Sequence, residues 1–305
     1  MHTDYLPDAH WSVSLDDGLT VEGTENPASP VLIRFFSGYD RAFVLPDERE
    51  ELDGFRDCLV ANRGAPLRFG RRHRELVLTL CDTADGTVLG GANFLATAME
   101  SRPGQPPEQP GVSVALNYIY VDQQVRGRGL ARKLVAAVAR LAQRAAGGPE
   151  DAMPAIFIEQ NDPFRLTAAE YAADTAHSGT DQIDRLAIWA RLGARAVDFP
   201  YVQPALSAAQ ASDDGLLYAA LAFPGDFVPA AFLHDHLESF FGVSVLKGGD
   251  PHADPAASPQ LATLAAAARA DERIALLDLV APLERLERGR PLPDAGSMLE
   301  FAKSG

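Results

Sequence analysis

Glycine and basic residues are concentrated in one short stretch of the sequence, VDQQVRGRGLARKLV at residues 121–135. Gly127 and Gly129 carry no Cβ atom, so the backbone there can approach a ligand closely. If a helix begins at this point, its first amides have no partner inside the helix, and its dipole adds partial positive charge. Backbone amides arranged in this way suit a pyrophosphate group.

The basic side chains of the stretch can supply charge to the same ligand. They are Arg126, Arg128, Arg132 and Lys133. The chain carries 42 acidic and 27 basic residues, with a formal net charge of −15, so it would otherwise repel a phosphate. A helix start with solvated arginines is the alternative interpretation, but the concentration of basic residues favours phosphate binding.

Two other phosphate-binding motifs are excluded by their spacing. A dinucleotide-binding G-x-G-x-x-G would need glycine where Arg132 stands, and the G-K-[ST] of a P-loop occurs nowhere in the sequence. The negative net charge also disfavours a nucleic acid or an anionic membrane surface as partner. We therefore expect no nucleic acid and no membrane among the partners.

The composition also limits the compartment and the cofactors. Cys58 and Cys81 are the two cysteines of the 305 residues, and no His/Cys cluster has metal-ligand spacing. The N-terminus lacks the basic and apolar segments of a signal peptide, and no stretch approaches the roughly eighteen apolar residues of a membrane span. The sequence therefore predicts a cytoplasmic protein that binds no metal.

Apolar periodicity predicts the elements that must position the glycine-rich stretch. Strands are predicted at 31–36, 74–83, 87–99, 112–121, 155–160 and 215–223, the second and third forming a hairpin. Helices are predicted at 47–62, from Leu130 to Gly147-Gly148-Pro149, within 184–199, at 227–242 and at 259–289. Residues 1–29 are expected to be a loosely held lead-in without an element of their own.

This order of strand, glycine-rich turn and helix resembles the GNAT superfamily of N-acyltransferases. The family motif [QR]-x-x-G-x-[GA] fits in two overlapping frames, 124–129 and 126–131. Residues 184–199 are similar to a later helix and strand of the family. The likeness covers roughly residues 30–223, which implies a catalytic domain followed by a C-terminal helical extension at 224–305.

The resemblance implies an α/β fold with a mixed, mostly antiparallel twisted sheet flanked by helices. In the family two central strands, here 112–121 and 155–160, splay apart and hold the pantetheine arm of acyl-CoA between them. The co-substrate implied is acetyl-CoA. Its predicted binding residues are Tyr120, Val121, Gln124, Arg126, Gly127, Arg128, Gly129, Leu130, Ala131 and Arg132.

The activity implied is transfer of an acetyl or other short acyl group from acyl-CoA to an amine by direct attack. The alternative is a coenzyme-A-binding regulatory or interaction protein with the same fold and little or no turnover. Because a primary amine is mostly protonated at pH 7, the reaction needs a base. Glu159, near the end of strand 155–160, is the candidate base, and an ion pair with Arg165 or Arg185 is its alternative role.

Trp189 is a departure from the family, because many members have at this position the tyrosine thought to protonate the leaving thiolate. It stands four residues before Gly193. Tyr201 is the candidate to replace that acid, with a packed core residue as the alternative.

The link 161–183 is a second departure, longer than in the family and rich in acidic residues. Its acidity suits a cationic acceptor amine, although a solvated helical loop is equally consistent. The partner expected is a small-molecule or peptide amine. Residues 224–305 could cover the acyl pocket, extend the core or make the contact of a homodimer, and the sequence does not distinguish these roles.

Overall fold

The computed structural model describes residues 10–15, 17–43, 49–62, 67–99, 109–149, 151–207, 210–221, 223–286 and 291–304. The chain packs as two compact units. The first comprises Met1–Pro154 and Glu238–Asp250, and the second comprises Ala155–Leu237 and Pro251–Gly305. The predicted domain boundaries at 29/30 and 223/224 do not coincide with the borders of these units. The predicted domains stay a prediction.

The first unit is built on antiparallel strands that pair in the order of the chain. They are β1 (His10–Leu15), β2 (Leu19–Thr24), β3 (His73–Asp82), β4 (Val88–Ala98) and β5 (Val112–Val121). Each pairs antiparallel with the next. The predicted hairpin of β3 and β4 is confirmed, and Gly86 in its turn has a φ of +75°.

Three helices of the first unit position the strands and the glycine-rich stretch: α1 (Pro30–Ala42), α2 (Leu52–Ala61) and α3 (Leu130–Ala146). Helix α3 begins directly after the glycine-rich stretch and buries a stripe that includes Leu130, Leu134 and Val138. It ends at Gly147, whose φ of +76° is the left-handed C-cap that the sequence predicts.

The prediction of a strand at 31–36 is wrong, because these residues belong to α1. The Ser29 side chain accepts a hydrogen bond from the Val31 amide (3.2 Å) and caps the helix, and Pro30 occupies its first turn. Phe35 and Tyr39 are buried on one helical face. Apolar, partly β-branched residues over a short run resemble a strand, and the capping serine before them is the signal that distinguishes a helix from a strand here.

The prediction of a lead-in without elements is wrong from His10 onward. β1 and β2 form a hairpin with Val13 opposite Val21, and β2 pairs with β3. Trp11, Val13 and Leu15 alternate with more exposed residues along β1. This alternation is the period of a strand, so the signal was present in the sequence.

The second unit also consists of antiparallel strands with helices. The strands, in the order β6-β8-β7-β10-β9, are β6 (Ala155–Asn161), β7 (Ala194–Val197), β8 (Leu216–Leu221), β9 (Phe227–Pro229) and β10 (Arg273–Leu277). The helices are α4 (Ala168–Ser178), α5 (Gln182–Arg191), α6 (Ala230–Phe240), α7 (Ala257–Arg269), α8 (Val280–Glu284) and α9 (Met298–Lys303), with α6 ending in the first unit. The predicted α/β class with a mostly antiparallel sheet is confirmed.

The C-terminal part is predicted to be purely helical. This prediction is wrong, because the C-terminal part also contributes β9 and β10. The predicted helix at 259–289 is interrupted after α7, where Asp271 takes a left-handed φ of +54° and turns the chain into β10. Residues 227–229 form β9 rather than the start of α6. Short apolar runs such as RIALL cannot be assigned to helix or strand by period alone. No helix of the described ranges is both long enough and apolar enough to cross a membrane.

A buried carboxylate lies in the sheet of the first unit. Glu75 on β3 is 1% exposed, and its Oε1 accepts hydrogen bonds from Asn93 Nδ2 (2.7 Å) and Asn117 Nδ2 (2.9 Å). Asn117 is the extra residue of a β-bulge in β5, and Ser244 Oγ donates to Glu75 Oε2 at 2.7 Å. Burial raises the pKa of Glu75 to about 7.

Replacing Glu75 by glutamine is expected to remove a pH-dependent loss of stability. Because folding raises the pKa of Glu75, the folded state favours the protonated carboxyl. The stabilisation that the protonated carboxyl provides is full below about pH 4.5 and is lost as the pH rises through 7. The loss amounts to at most about 3 kcal/mol. In thermal melts Glu75→Gln should match the wild type near pH 5 and melt above it at pH 8. Lower melting at both pH values would mean that the ionised carboxylate is required.

Candidate functional site

The loop between β5 and α3 contains two left-handed glycines. Asp122 begins the loop by accepting a hydrogen bond from the Gln124 amide (2.9 Å), which caps a 3₁₀ turn at Gln123–Val125. Gly127 and Gly129 have φ values of +80° and +73°, which residues with side chains rarely adopt. A Cβ atom at either glycine would meet no further atom of the described chain within 4 Å. The backbone conformation therefore requires glycine, and the space around these positions is open.

The backbone amides of residues 127–132 are available to an anion. Within the described ranges none of them has a hydrogen-bond acceptor, and the following amide, of Lys133, bonds to Gly129 O at 3.3 Å. Helix α3 also has no side-chain cap at Gly129. Consecutive amides without partners at a helix N-terminus, together with the helix dipole, form a binding site for phosphate oxygens.

Two of the basic residues are available to the same anion. Arg128 and Arg132 are exposed, and no carboxylate of the described chain pairs with either of them. Lys133, in contrast, forms an ion pair with Asp17 at 2.8 Å. Of the basic residues predicted to face a ligand, Arg128 and Arg132 are therefore without a carboxylate partner among the described residues, and Lys133 is used within the fold.

The other predicted coenzyme-binding residues lie beside this loop. Tyr120 is buried, and its hydroxyl donates to Phe35 O at 3.0 Å, so its side chain is bonded to α1. Arg126 Nε donates to Val121 O at 3.4 Å. The remaining three are Gln124, which is exposed, Leu130, which is buried, and Ala131, which is half-buried.

Glu159 on β6 is the centre of a hydrogen-bonded group in the second unit. Its Oε1 accepts a hydrogen bond from the Tyr201 hydroxyl, and both carboxylate oxygens accept from Gln203 Nε2 at 3.0 Å. The backbone of Gln203 is held in place by an isolated antiparallel β-bridge with Asp213. Burial raises the pKa of Glu159 to about 7, although the hydrogen bonds from Tyr201 and Gln203 lower it. A carboxylate with this pKa can exchange protons near neutral pH.

The alternative ion pairs considered for Glu159 are not formed in the structure. Arg165 Nη1 lies 3.4 Å from Asp214 Oδ2, and Arg185 Nη2 lies 2.6 Å from Asp174 Oδ2. Glu159 instead has neutral hydrogen-bond donors, which is why burial dominates its pKa.

Tyr201 is a packed residue as well as a hydrogen-bond donor. It is 5% exposed, and its ring stacks on that of Tyr218 with 4.4 Å between centroids. Burial and the charge of Glu159 raise the pKa of Tyr201 far above its ordinary value. Tyr218 OH in turn lies 2.5 Å from His236 Nε2, and the His236 ring stacks on Phe157. The sequence alone does not identify Gln203, Tyr218 and His236 as members of this group, because they lie on separate elements that only the fold brings together.

The acidic side chains of the link 161–183 are mostly used within the fold. Asp162 accepts from the Met298 amide at 2.8 Å, Glu170 completes the capping box of α4, and Asp181 caps α5. Asp174 is buried and accepts from Gln182 Nε2 at 2.5 Å. The acidity of this link therefore no longer argues for a cationic acceptor. Trp189, the first departure from the family, is half-buried on α5.

Residues 35–153, which include the glycine-rich loop, match the acetyltransferase (GNAT) family. This part of the chain is therefore similar to that family, and the predicted resemblance is confirmed. Acyl transfer is the chemistry that the family indicates.

Solved structures that resemble the chain are distant. Ribosomal-protein-S18-alanine N-acetyltransferase from Escherichia coli is 15% identical, with 67% of this chain and 92% of that chain covered and a TM-score of 0.35. NAA60 from Arabidopsis thaliana in complex with acetyl-CoA is 12% identical, with 66% and 97% covered and a TM-score of 0.38. Ard1 from Thermoplasma volcanium is 14% identical, with 68% and 97% covered and a TM-score of 0.33. No curated protein matches the chain.

Replacing Tyr201 by phenylalanine separates two roles for this residue. Its hydrogen bond lowers the pKa of Glu159, so Tyr201→Phe should raise that pKa and move the acidic limb of the kcat profile to higher pH. We expect kcat to approach the wild-type value on the alkaline side of that limb. If Tyr201 were the general acid, Tyr201→Phe would instead lower kcat by about tenfold to a hundredfold at every pH.

A matched control for this variant is Tyr171→Phe. Tyr171 also donates to a carboxylate, that of Asp181, at 2.9 Å, but it lies on α4 rather than beside Glu159. The control should leave the acidic limb in place. A shift of similar size in both variants would contradict a specific effect of Tyr201 on Glu159.

Proposed function

We propose that this protein is an acyl-CoA-dependent N-acetyltransferase that transfers the acetyl group of acetyl-CoA to an amine. The observation that carries the proposal is the row of amides at residues 127–132 that have no acceptor in the described part of the chain. This row lies inside the region matching the acetyltransferase family. The family match supports acyl transfer in general, and the loop supports coenzyme A as the donor.

The loop would bind the pyrophosphate of the coenzyme through backbone and charge together. Amides from Gly127 to Arg132 donate to the phosphate oxygens, and the guanidinium groups of Arg128 and Arg132 neutralise them. The pantetheine arm would pair with the backbone near Tyr120 and Val121, as the resemblance implies. Glycine at 127 and 129 keeps side chains away from this surface.

Glu159 would act as the general base. The amine nitrogen attacks the thioester carbonyl, a C–N bond forms, and the C–S bond breaks to release the coenzyme A thiolate. The amine must lose a proton during this sequence, and Glu159, with a pKa of about 7, is ionised in a useful fraction near neutral pH. The thiolate is protonated by solvent or by Tyr201, which stays a predicted catalytic residue.

The acceptor is proposed only as a class, a primary amine of a small molecule or a peptide. The net charge of −15 favours a cationic amine over an anionic one. A cytoplasmic location, the lack of a metal cofactor and a homodimer remain predictions from the sequence.

A thiol-release assay with acetyl-CoA and a panel of amines tests the proposal. The panel should contain peptides with free N-termini, lysine peptides, polyamines, amino acids and aminoglycosides. Turnover with any of them supports the enzyme, whereas saturable acetyl-CoA binding without turnover on any amine supports the coenzyme-A-binding regulatory protein. Trp189 in place of the family tyrosine is the observation that favours this second function.

A further inference from the structure

A cavity of about 300 Å³ lies between the first hairpin and helix α3 of the first unit. Val13, Leu15 and Val21 line it from the strands, and Ala137 and Leu141 line it from the helix. Its volume is at the lower end of the range of small-molecule pockets, and its lining is mainly apolar as in such pockets. The glycine-rich loop takes no part in it.

Helix α3 and the first hairpin are in contact beside the cavity. Gly23 pairs with Trp11, and a Cβ atom added to Gly23 would lie 3.1 Å from Leu141 Cδ1, so helix and strands are in contact there. Farther along β1, Val13 and Leu15 share the face of Trp11, and all three are half-buried. Among the described residues, the small side chains of Ala136 and Ala137 on α3 leave this space open.

The charge around the cavity is uneven. Arg140 and Arg144 stand one helical turn apart on its rim, both exposed, and no carboxylate of the described chain pairs with either. Side chains at this spacing share a face, so both guanidinium groups can reach one anion. Lys133, at the other end of the cavity, is already paired with Asp17. Among the residues that the structure describes, the uncompensated charge is thus positive and lies at one end of a mainly apolar cavity.

We propose that this cavity binds a free fatty acid of medium chain length. The carboxylate would lie between Arg140 and Arg144, and the hydrocarbon chain would extend along Val13 and Leu15 toward Lys133. The helix from Arg144 to Lys133 rises by about 16 Å, which gives room for such a chain. This site is separate from the acetyl-CoA loop and does not depend on the proposed function.

Calorimetry of the full chain with octanoate, decanoate and 1-octanol, below micelle-forming concentrations, tests the proposal. We expect one saturable site for decanoate. The two additional methylenes of decanoate should strengthen binding over octanoate by up to about tenfold. Octanol, which matches octanoate without its charge, should bind about tenfold more weakly than octanoate.

Variants of the rim and of the cavity separate the two contributions. The double variant Arg140→Gln/Arg144→Gln should lower octanoate affinity about threefold to tenfold, because exposed ion pairs are individually weak. Arg191→Gln, which removes an exposed arginine of α5, is the matched control and should change nothing. Ala136→Leu places a helix-forming side chain at an exposed position of the lining and should weaken octanoate and decanoate alike while the melting temperature holds.

Three results would overturn the proposal. One is the lack of saturable fatty-acid binding by the wild-type chain, and another is equal binding of octanoate and octanol. The third is a wild-type dimer that binds no decanoate and dissociates in the double variant, which would make this face a protein interface.

Discussion

Replacing Gly129 by aspartate is expected to lower the affinity for acetyl-CoA by at least about a hundredfold while the chain stays folded. The φ of +73° costs a residue with a side chain about 1–2 kcal/mol, and aspartate tolerates this region better than most. No further atom of the described chain lies within 4 Å of the added Cβ, so the fold can accept it. The carboxylate, however, would stand among the amides proposed to bind pyrophosphate. Calorimetry with acetyl-CoA, together with a thermal melt, measures both effects.

Two controls separate charge from conformation at this position. Asparagine has nearly the size of aspartate and a similar tolerance of positive φ, but it carries no charge. We therefore expect Gly129→Asn to lose less acetyl-CoA affinity, and this loss reports steric obstruction alone. Gly70→Asp puts the same side chain at a φ of +75° with open space around it, at the turn between Arg68 and Arg71. It should leave acetyl-CoA affinity unchanged. Wild-type affinity in a folded Gly129→Asp chain would show that the loop is only the start of a helix.

Replacing Glu159 by glutamine is expected to lower kcat by about a hundredfold to ten-thousandfold, with acetyl-CoA affinity nearly intact. Only the ionised carboxylate can accept the proton of the amine. With a pKa of about 7, the wild-type rate should therefore rise with pH through about 7. The variant should lose this acidic limb, and steady-state rates between pH 5.5 and 9 measure it.

The geometry around Glu159 makes the glutamine variant a mild change. Its amide oxygen can still accept from Tyr201, and its amide nitrogen can donate to the side-chain oxygen of Gln203. Glu170→Gln is a useful control, because this carboxylate belongs to the capping box of α4 and not to the hydrogen-bonded group of Glu159. It should affect stability but not kcat. If Glu159→Gln keeps wild-type kcat per folded molecule, Glu159 has a structural role instead.

Local signals in the sequence were sufficient for the glycine-rich loop and for α3. Gly127 and Gly129 have the left-handed conformations that their residue type suggests, and Gly147 ends the helix where the sequence places its cap. Local signals failed at 31–36, where an apolar run fits either secondary structure. The cap at Ser29 would have decided for a helix.

The environment of Glu159 could be predicted only in part. Its place near the end of a strand followed from apolar periodicity, but its donors Tyr201 and Gln203 are 42 and 44 residues away in the chain. A single sequence does not specify which distant side chains meet, so neither the hydrogen bonds nor their effect on the pKa was predictable. The same holds for Glu75, whose partners lie on two other strands and in the segment after α6.

The late return of the chain to the first unit determines when that unit can be completed on the ribosome. Ser244 lies 169 residues after Glu75, and its carbonyl oxygen lies 3.5 Å from Cys58 Sγ. At about 5–20 residues per second, translation separates these partners by roughly ten to thirty seconds. A nascent chain that ends after the acetyltransferase-family region therefore still lacks the segment that bonds to its buried carboxylate. For the same reason, residues 35–153 cannot be expressed alone as the intact first unit.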